Sequence, residues 1–240
     1  MKASIFFIIS MLLHIAALGQ ETDAVADTVK APAKFFSGVS VTADIGKPGL
    51  AQIAGFEDKL AFSAHLEFMG YLQLSAEYGR ATMVPEEPFQ NVAYRVEGDY
   101  IGLGVDYVTQ IKTKNFLSVG IRRMTGNYSD LGTVTIESNS MLSDDYQRTF
   151  ARNDLSANWW EFVVSSETKL IEDFTGKRDE MNTIHKVLDN FYFGLHFRLR
   201  FALDYVAQEG IDTYTIPGYG RTFDNSVPAV NLYLRYRLGF

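Results

Sequence analysis

Three side chains of the types used in nucleophilic catalysis stand at alternate positions of one segment. Ser63, His65 and Glu67 are the residue types of a nucleophile, a base and the carboxylate that orients the base. Alternate residues of an extended chain lie about 6.5–7 Å apart, which exceeds hydrogen-bond reach along one strand. His196 has Glu167 or a serine on another strand as an alternative partner. The spacing therefore favours buried, hydrogen-bonded histidines over a catalytic site.

Charged side chains form a larger group, and they follow a period of two. Each stands on the polar side of a segment whose alternate residues are apolar. If these segments enclose one interior, opposite charges must pair there, because an unpaired charge is costly to bury. The pattern predicts a salt-bridge network, and the alternative is a narrow path for anions along the arginines. The predicted network consists of Asp44, Glu67, Glu77, Asp106, Arg122, Glu161, Glu167, Arg198, Arg200, Arg235 and Arg237.

Eight segments carry the alternation, which is typical of β-strands. A soluble sandwich would turn the apolar face inward, whereas a transmembrane barrel turns it toward lipid. Segments of about ten residues suit a bilayer crossing, and aromatic residues near the strand ends suit interfacial girdles. The sequence therefore predicts an all-β fold, an eight-stranded antiparallel up-and-down transmembrane β-barrel with a filled polar lumen. The aromatic residues in question are Phe68, Tyr107, Phe116, Trp159, Phe191 and Tyr205.

The composition excludes several classes of function. The chain has 240 residues, a net charge of −7 and no cysteine. Nucleic-acid binders usually carry a basic face, and the absence of cysteine excludes disulfides, a thiolate zinc site and a cysteine nucleophile. The spacing of Asp130, Asp144, Asp145 and Asp154 matches no calcium-binding loop of the helix–loop–helix type. We expect no metal, no cofactor and no nucleic-acid partner.

Both ends of the chain predict export to an outer membrane. Lys2, the apolar run 5–13 and small residues at Ala17 and Gly19 predict a cleaved signal peptide over 1–19. A flexible tail over 20–35 and a barrel over 36–240 would follow. Phe240 ends an alternating strand, in the manner of the assembly signal of outer-membrane proteins. The expected partners are outer-membrane lipid, the barrel assembly machinery during biogenesis and a partner protein in a larger outer-membrane complex.

The connections between the segments differ in length and composition. Those at Gly70 and at 109–115 are short, whereas 124–158 and 171–190 are long. The second of the long connections predicts either a short amphipathic helix or a mobile insertion. A change of apolar parity between Val96 and Ile101 predicts a bulge near Gly98. The loop over 216–222 is expected to present its tyrosine and arginine, Tyr219 and Arg221, as candidate contact residues.

Four stretches, 100–107, 159–162, 193–200 and 216–222, resemble a domain-of-unknown-function family of small outer-membrane proteins from Gram-negative bacteria. More loosely, the layout is similar to eight-stranded outer-membrane barrels of enteric bacteria. The resemblance implies a small barrel and no established activity. We expect a structural or loop-mediated binding role with an unknown ligand, and no enzymatic activity. The alternatives are a narrow pore for small solutes or anions and a lipid-modifying enzyme, either a hydrolase or an acyltransferase.

Overall fold

The computed structural model describes residues 35–46, 57–85, 88, 91–112, 114–136, 146–170 and 188–239. The chain divides into two compact units, Met1–Ala33 and Lys34–Phe240. The first unit lies outside the described residues, and so does Phe240. The signal peptide, the tail and the C-terminal assembly signal therefore stay predictions. No helix in the described part of the chain has the length and apolar character needed to cross a membrane.

Ten strands occur in these ranges, and eight of them close into a ring. The ring runs in the order β1-β10-β7-β6-β5-β4-β3-β2, with antiparallel neighbours throughout, while β8 and β9 pair as a short hairpin between β7 and β10. This confirms the all-β, eight-stranded up-and-down barrel. The strands are β1 (Phe36–Asp44), β2 (Glu57–Phe68), β3 (Leu72–Met83), β4 (Val92–Lys112), β5 (Asn115–Ile136), β6 (Tyr146–Lys169), β7 (Phe191–Tyr205), β8 (Thr215–Ile216), β9 (Gly220–Arg221) and β10 (Ser226–Gly239).

The first and last barrel strands close the ring. β1 pairs with β10 from Gly38 opposite Gly239 to Asp44 opposite Tyr233, and its other side pairs with β2. Closure removes the unpaired edges that an open sheet would expose. Since successive side chains of a strand point to opposite faces, every second residue of the ring points to the interior.

The barrel wall is much taller on one side. β2 and β3 have 12 residues each, whereas β4, β5 and β6 have 21, 22 and 24. About 9–11 tilted residues cross the hydrocarbon core of a bilayer. The three long strands therefore extend well beyond a layer of that thickness. We call the end with the tight β2–β3 and β4–β5 turns the short-turn end, and the opposite end the tall end.

Polarity inverts along β4 while its side-chain parity stays the same. On β4 the outward residues Ile101 and Leu103 are exposed and apolar, and nearer the tall end they give way to exposed Glu97. The inward side changes in the opposite sense, from buried Asp106 to buried Val96. The outer face thus changes from apolar to polar in the same part of the strand in which the inner face changes from polar to apolar.

The predicted bulge near Gly98 is wrong. The pairing of β4 with β3 and with β5 runs through Gly98 without a shift, and the irregularity in β4 lies between Gln110 and Lys112 instead. The apparent change of parity in the sequence comes from the inversion of polarity. A strand that leaves an apolar surrounding for water exchanges its apolar and polar faces without any change in backbone geometry.

The same inversion of polarity explains why the longest predicted loop is wrong. Most of 124–158 is strand, because β5 continues to Ile136 and β6 begins at Tyr146. The remaining connection, 137–145, lies outside the described residues. So does 171–187, which holds most of the predicted amphipathic helix or insertion, and both of those alternatives stay predictions. A turn at Met69 and Gly70 joins β2 to β3 as expected.

Aromatic residues line the outer wall near the short-turn end, although three of the expected girdle residues, Phe116, Trp159 and Tyr205, point inward. The Tyr71 and Tyr107 rings lie 6.1 Å apart, and the Phe191 and Tyr236 rings 5.0 Å apart. Phe116 instead lies beneath the guanidinium of Arg237, 4.7 Å away.

The interior near the tall end is an apolar core. Trp159, which we expected in an outer girdle, is fully buried within it because the inner face of β6 is apolar at this height. The core consists of Met83, Tyr94, Val96, Tyr100, Met124, Tyr128, Ala157, Trp159, Ile216 and Tyr219.

Candidate functional site in the lumen and its cover

One hydrogen-bonded ion pair joins opposite walls of the barrel. Glu77 lies on β3 and Arg198 on β7, and these strands are four places apart in either direction around the ring. Arg198 Nη1 donates to Glu77 Oε1 at 2.8 Å, and both side chains are buried. An eight-stranded ring encloses an interior just wide enough for side chains to fill. The lumen is therefore filled from wall to wall at this level.

Further ion pairs extend this contact into a continuous layer. Arg122 Nη1 donates to the other carboxylate oxygen of Glu77 at 2.7 Å. Arg198 Nη1 also donates to Glu161 Oε2 at 3.1 Å, and Arg200 Nε donates to Glu161 Oε1 at 3.1 Å. Each carboxylate of the layer thus pairs with two guanidinium groups, and such paired contacts offset the loss of hydration of buried charges.

A second layer lies closer to the short-turn end and centres on Glu167. This carboxylate accepts from Arg237 Nη2 at 2.9 Å and from the Tyr233 hydroxyl at 3.0 Å, and it lies 3.1 Å from Arg235 Nη1. Arg237 Nε lies 2.9 Å from Glu67 Oε1. The two layers together include nine of the eleven charged residues predicted for the lumen.

The remaining two predicted residues also face the interior. Asp106 Oδ1 lies 3.8 Å from Arg122 Nη2, and Asp44 accepts a hydrogen bond from Asn231. Sequence reasoning missed Lys59, which is buried with its Nζ 5.5 Å from the centre of the Tyr100 ring. The sequence pattern could have identified this residue, because Lys59 stands in step with the inward residues Ser63 and His65 of β2. With Lys59, the set has six cationic and six acidic members, so the charges of this lumen set balance.

The histidines lie between the layers, and each is hydrogen-bonded to neutral groups. His65 Nε2 lies 3.0 Å from Thr42 Oγ1, and its Nδ1 lies 2.9 Å from Gln73 Nε2. His196 Nδ1 lies 2.6 Å from Ser165 Oγ. Both histidines are almost fully buried.

The serine, histidine and carboxylate of the 63–67 segment are not brought together. Glu67 pairs with Arg237, and both ring nitrogens of His65 are occupied by other partners. The segment therefore does not form a nucleophile–base–carboxylate array. Within the described ranges, no three histidine or acidic side chains are arranged to hold a metal ion.

The connection between β7 and β10 folds back into the tall end and covers the lumen. Ile216 of β8 and Tyr219 of the following turn are fully buried. The Tyr219 ring packs edge-on against Trp159, with centroids 5.9 Å apart, and its carbonyl oxygen accepts from Arg200 Nη1 at 2.8 Å. The hairpin thus rests on the first ionic layer. We call residues 206–225 the cover.

The turn of the hairpin requires a glycine. Gly218 has a φ of +85°, and a Cβ atom there would lie 2.5 Å from the Tyr100 ring. Only a residue without a side chain combines this backbone conformation with such a close approach.

The expectation that Tyr219 is presented at the surface is wrong. Its side chain is 0% exposed, because the barrel interior at this height is apolar and accepts an aromatic ring. Arg221 is exposed, as expected, with its guanidinium 5.8 Å from the centre of the Tyr214 ring.

Polar contacts fasten the cover to the tall wall. Asp130 on β5 accepts from the Tyr94 hydroxyl at 2.8 Å and from Arg152 Nε at 2.7 Å. Arg152 Nη1 donates to the carbonyl oxygen of Ile211 at 2.7 Å. Asp130 and Asp154, expected in a loop, are strand residues. Asp130 thus anchors the cover through Arg152.

A further carboxylate shapes the cover itself. Asp212 Oδ1 accepts from the amides of Gln208, at 3.0 Å, and Thr213, at 2.8 Å, and its Oδ2 accepts from the Tyr205 hydroxyl at 2.7 Å. Partial burial acts to raise the pKa of Asp212, but these hydrogen bonds outweigh it and the pKa lies below its usual value.

The fold and the site define a closed eight-stranded barrel with an ion-paired lumen. The chain belongs to the family described as "Domain of unknown function (DUF6048)", whose model matches residues 1–177. No curated protein matches the sequence. Among solved structures, the N-terminal β-barrel domain of Pseudomonas aeruginosa OprF is 9% identical with a TM-score of 0.37, covering 85% of this chain and 98% of that one. Acinetobacter baumannii CarO2 is 10% identical with a TM-score of 0.40, covering 85% and 99%.

Glu77→Gln is expected to lower the free energy of unfolding by about 3–5 kcal/mol, because it leaves the buried arginines around it undercompensated. The matched control is Glu97→Gln, which breaks the exposed pair of Glu97 with Arg95, whose side chains are 49% and 56% exposed. That change should cost under about 1 kcal/mol. Urea unfolding in detergent measures both values, and equal losses would contradict a central role of the lumen pair.

The order of the cover is expected to depend on the ionisation of Asp212. Since its folded pKa is lowered, the carboxylate stabilises the cover at pH above the unfolded value, and this stabilisation is lost as the pH falls through the folded value. Amide hydrogen exchange over 206–214, corrected for intrinsic rates, should accelerate on acidification.

Asp212→Asn should produce the same acceleration at neutral pH. The control is Asp224→Asn, since only the main-chain oxygen of Asp224 bonds to Tyr219. Equal exchange in the two variants would disprove the role of the Asp212 carboxylate.

Proposed function

We propose that the protein is an outer-membrane barrel with a closed lumen, and that its role is structural or interactive and is exerted through its outer surfaces. The observation that carries the proposal is the hydrogen bond between Glu77 and Arg198 across the full width of the lumen. The buried hairpin above it is a second, independent obstruction.

The exterior supports the membrane location. Exposed apolar side chains such as Ile101, Leu103 and Val105 follow one another on the outward face of β4. Leu103 is 70% exposed, which is unfavourable in water and favourable against lipid. The signal peptide predicted over 1–19 supports export, and closed barrels with an apolar outer wall are the form in which strands span an outer membrane.

The balance of charges argues against the pore alternative. An anion path needs cationic groups that are free to attract a solute. Here Arg122, Arg198 and Arg235 each contact a carboxylate at 2.7–3.1 Å. Because their charges are compensated locally, the arginines favour a rigid plug over a conducting path.

The enzyme alternative has less support than the interaction role. The closest approach to a catalytic pair is Ser165 with His196, and both side chains are at most 3% exposed. A nucleophile needs access to its substrate, and these two side chains are enclosed between the ionic layers and the stacked ring of Tyr233.

The surfaces available for contacts lie at the tall end. The outer faces of β4–β6 become polar there, with Arg95, Glu97 and Asp99 exposed on β4. Arg221 on the cover is exposed at the same end of the barrel. In an outer membrane with the short turns on the periplasmic side, these groups would stand outside the cell. We propose that they meet a ligand, a surface polymer or a partner protein.

Val105→Arg tests the membrane location. It introduces a charge into the apolar part of β4 and should reduce the folding free energy in phosphatidylcholine vesicles by about 2–4 kcal/mol. Glu97→Arg changes an outward residue of the same strand that lies beyond the apolar part, nearer the tall end. It should lower the folding free energy by less than about 1 kcal/mol. Denaturant titration of vesicle-bound protein measures both. If Val105→Arg is as harmless as Glu97→Arg, or if the barrel folds only in water, the membrane location is wrong.

Recordings in planar bilayers test closure. The unmodified protein is expected to show no reproducible unitary steps. Shortening the cover alone should leave it silent, because the ionic layer remains beneath. Combining the shortened cover with Glu77→Ala and Arg198→Ala is expected to produce steps, which would show that the assay detects inserted barrels. Reproducible steps from the unmodified protein would favour the pore.

A further inference from the structure

Arg123, on the outer wall, has no acidic neighbour among the residues that the structure describes. Arg123 on β5 points outward and is exposed, and its nearest partners across the sheet are Leu103 on β4 and Trp160 on β6. Its guanidinium carbon lies 5.2 Å from the centre of the Trp160 ring. Among the described residues, no carboxylate forms an ion pair with Arg123.

The other residues around Arg123 on this face do not supply a negative charge either. Ile101 and Val105 flank its partner on β4, and Asn158 and Phe162 flank its partner on β6. Two other outward arginines differ in this respect. Arg80 stands opposite Asp99 in the pairing of β3 with β4, and Arg95 pairs with Glu97 at 3.1 Å. Arg123 is a cation surrounded by uncharged and largely apolar side chains.

The height of Arg123 on the wall indicates which counterion it meets. It is the ninth residue of β5, counted from the short-turn end. About 9–11 tilted residues cross the hydrocarbon core of a bilayer, so Arg123 stands where the hydrocarbon gives way to headgroups at the tall end. A charge on the lipid face is costly at the midplane and tolerated near this boundary. A tryptophan beside it suits the same depth.

We propose that Arg123 and Trp160 form a binding site for the phosphate group of a lipid in the leaflet at the tall end. The guanidinium presents a planar pair of donors that matches phosphate, and this is the geometry of the strongest charge-assisted hydrogen bonds. The acyl chains would lie against Ile121, Val105 and Phe162, which are exposed, apolar and nearer the short-turn end than Arg123. The site rests on the membrane location proposed above.

Native mass spectrometry of the purified protein in an uncharged detergent tests the site. The probes are dioleoyl phosphatidic acid and dioleoylglycerol, which have the same chains and differ in the phosphate. The protein is expected to retain the phosphatidic acid and to bind the dioleoylglycerol at least about tenfold more weakly. Arg123→Gln should remove this preference, and Arg123→Lys should keep part of it. Arg80→Gln, the matched control, should leave it unchanged.

Two results would overturn the site. One is equal retention of both lipids by the unmodified protein, which would reduce the contact to apolar adhesion. The other is an unchanged preference in Arg123→Gln, which would assign phosphate binding elsewhere. Because the assay is carried out in detergent, its outcome is separate from the vesicle titration of Val105→Arg. Failure of that titration removes the membrane location, whereas failure here with successful insertion removes the lipid site alone.

Discussion

The requirement that enclosed charges be paired governs the part of this barrel nearer the short-turn end. Eight strands leave an interior with room for side chains and little else, and the inward positions of these strands are occupied by arginines, a lysine and carboxylates. A single charge left alone there would destabilise the fold by several kcal/mol. The contact of Glu77 with Arg198 meets this requirement across the full width of the ring, and Arg122, Glu161 and Arg200 extend it in both directions. The lumen is therefore a polar core of the protein.

The second constraint is the change of surroundings along the strands. Near the short-turn end the outside is apolar and the inside is charged, and near the tall end both are reversed. At the tall end the interior is apolar, so Trp159 and Tyr219 are buried there. Nearer the short-turn end the outer wall is apolar, and Leu103 is exposed on it. The two regimes meet where Arg200 donates to the carbonyl of Tyr219, so the apolar cover rests directly on the ionic layer. This continuity explains why the cover belongs to the folded barrel and is not a loose external loop.

A barrel filled in this way places its available chemistry on the outside. The lumen groups satisfy one another, whereas Arg221, the polar outer faces of β4–β6 and the isolated Arg123 have free hydrogen-bonding or charge capacity. In the membrane location proposed above, the height of β4–β6 beyond the apolar wall would carry part of that surface away from the membrane plane. Such a barrel suits the contacts with lipid and with partners proposed above better than it suits transport through its axis.

The sequence alone determined the eight strands, their inward and outward faces and the charged residues of the lumen, because a period of two assigns each side chain to a face whatever the tertiary arrangement. It did not determine which charges meet. Glu77 and Arg198 are 121 positions apart, and only ring closure brings their walls face to face. The sequence also misassigned Gly98, the 124–158 segment and Tyr219, because apolar alternation has opposite meanings in lipid and in water. The level at which a strand passes from apolar to aqueous surroundings depends on how tall the closed barrel wall is. That height is a property of the tertiary structure.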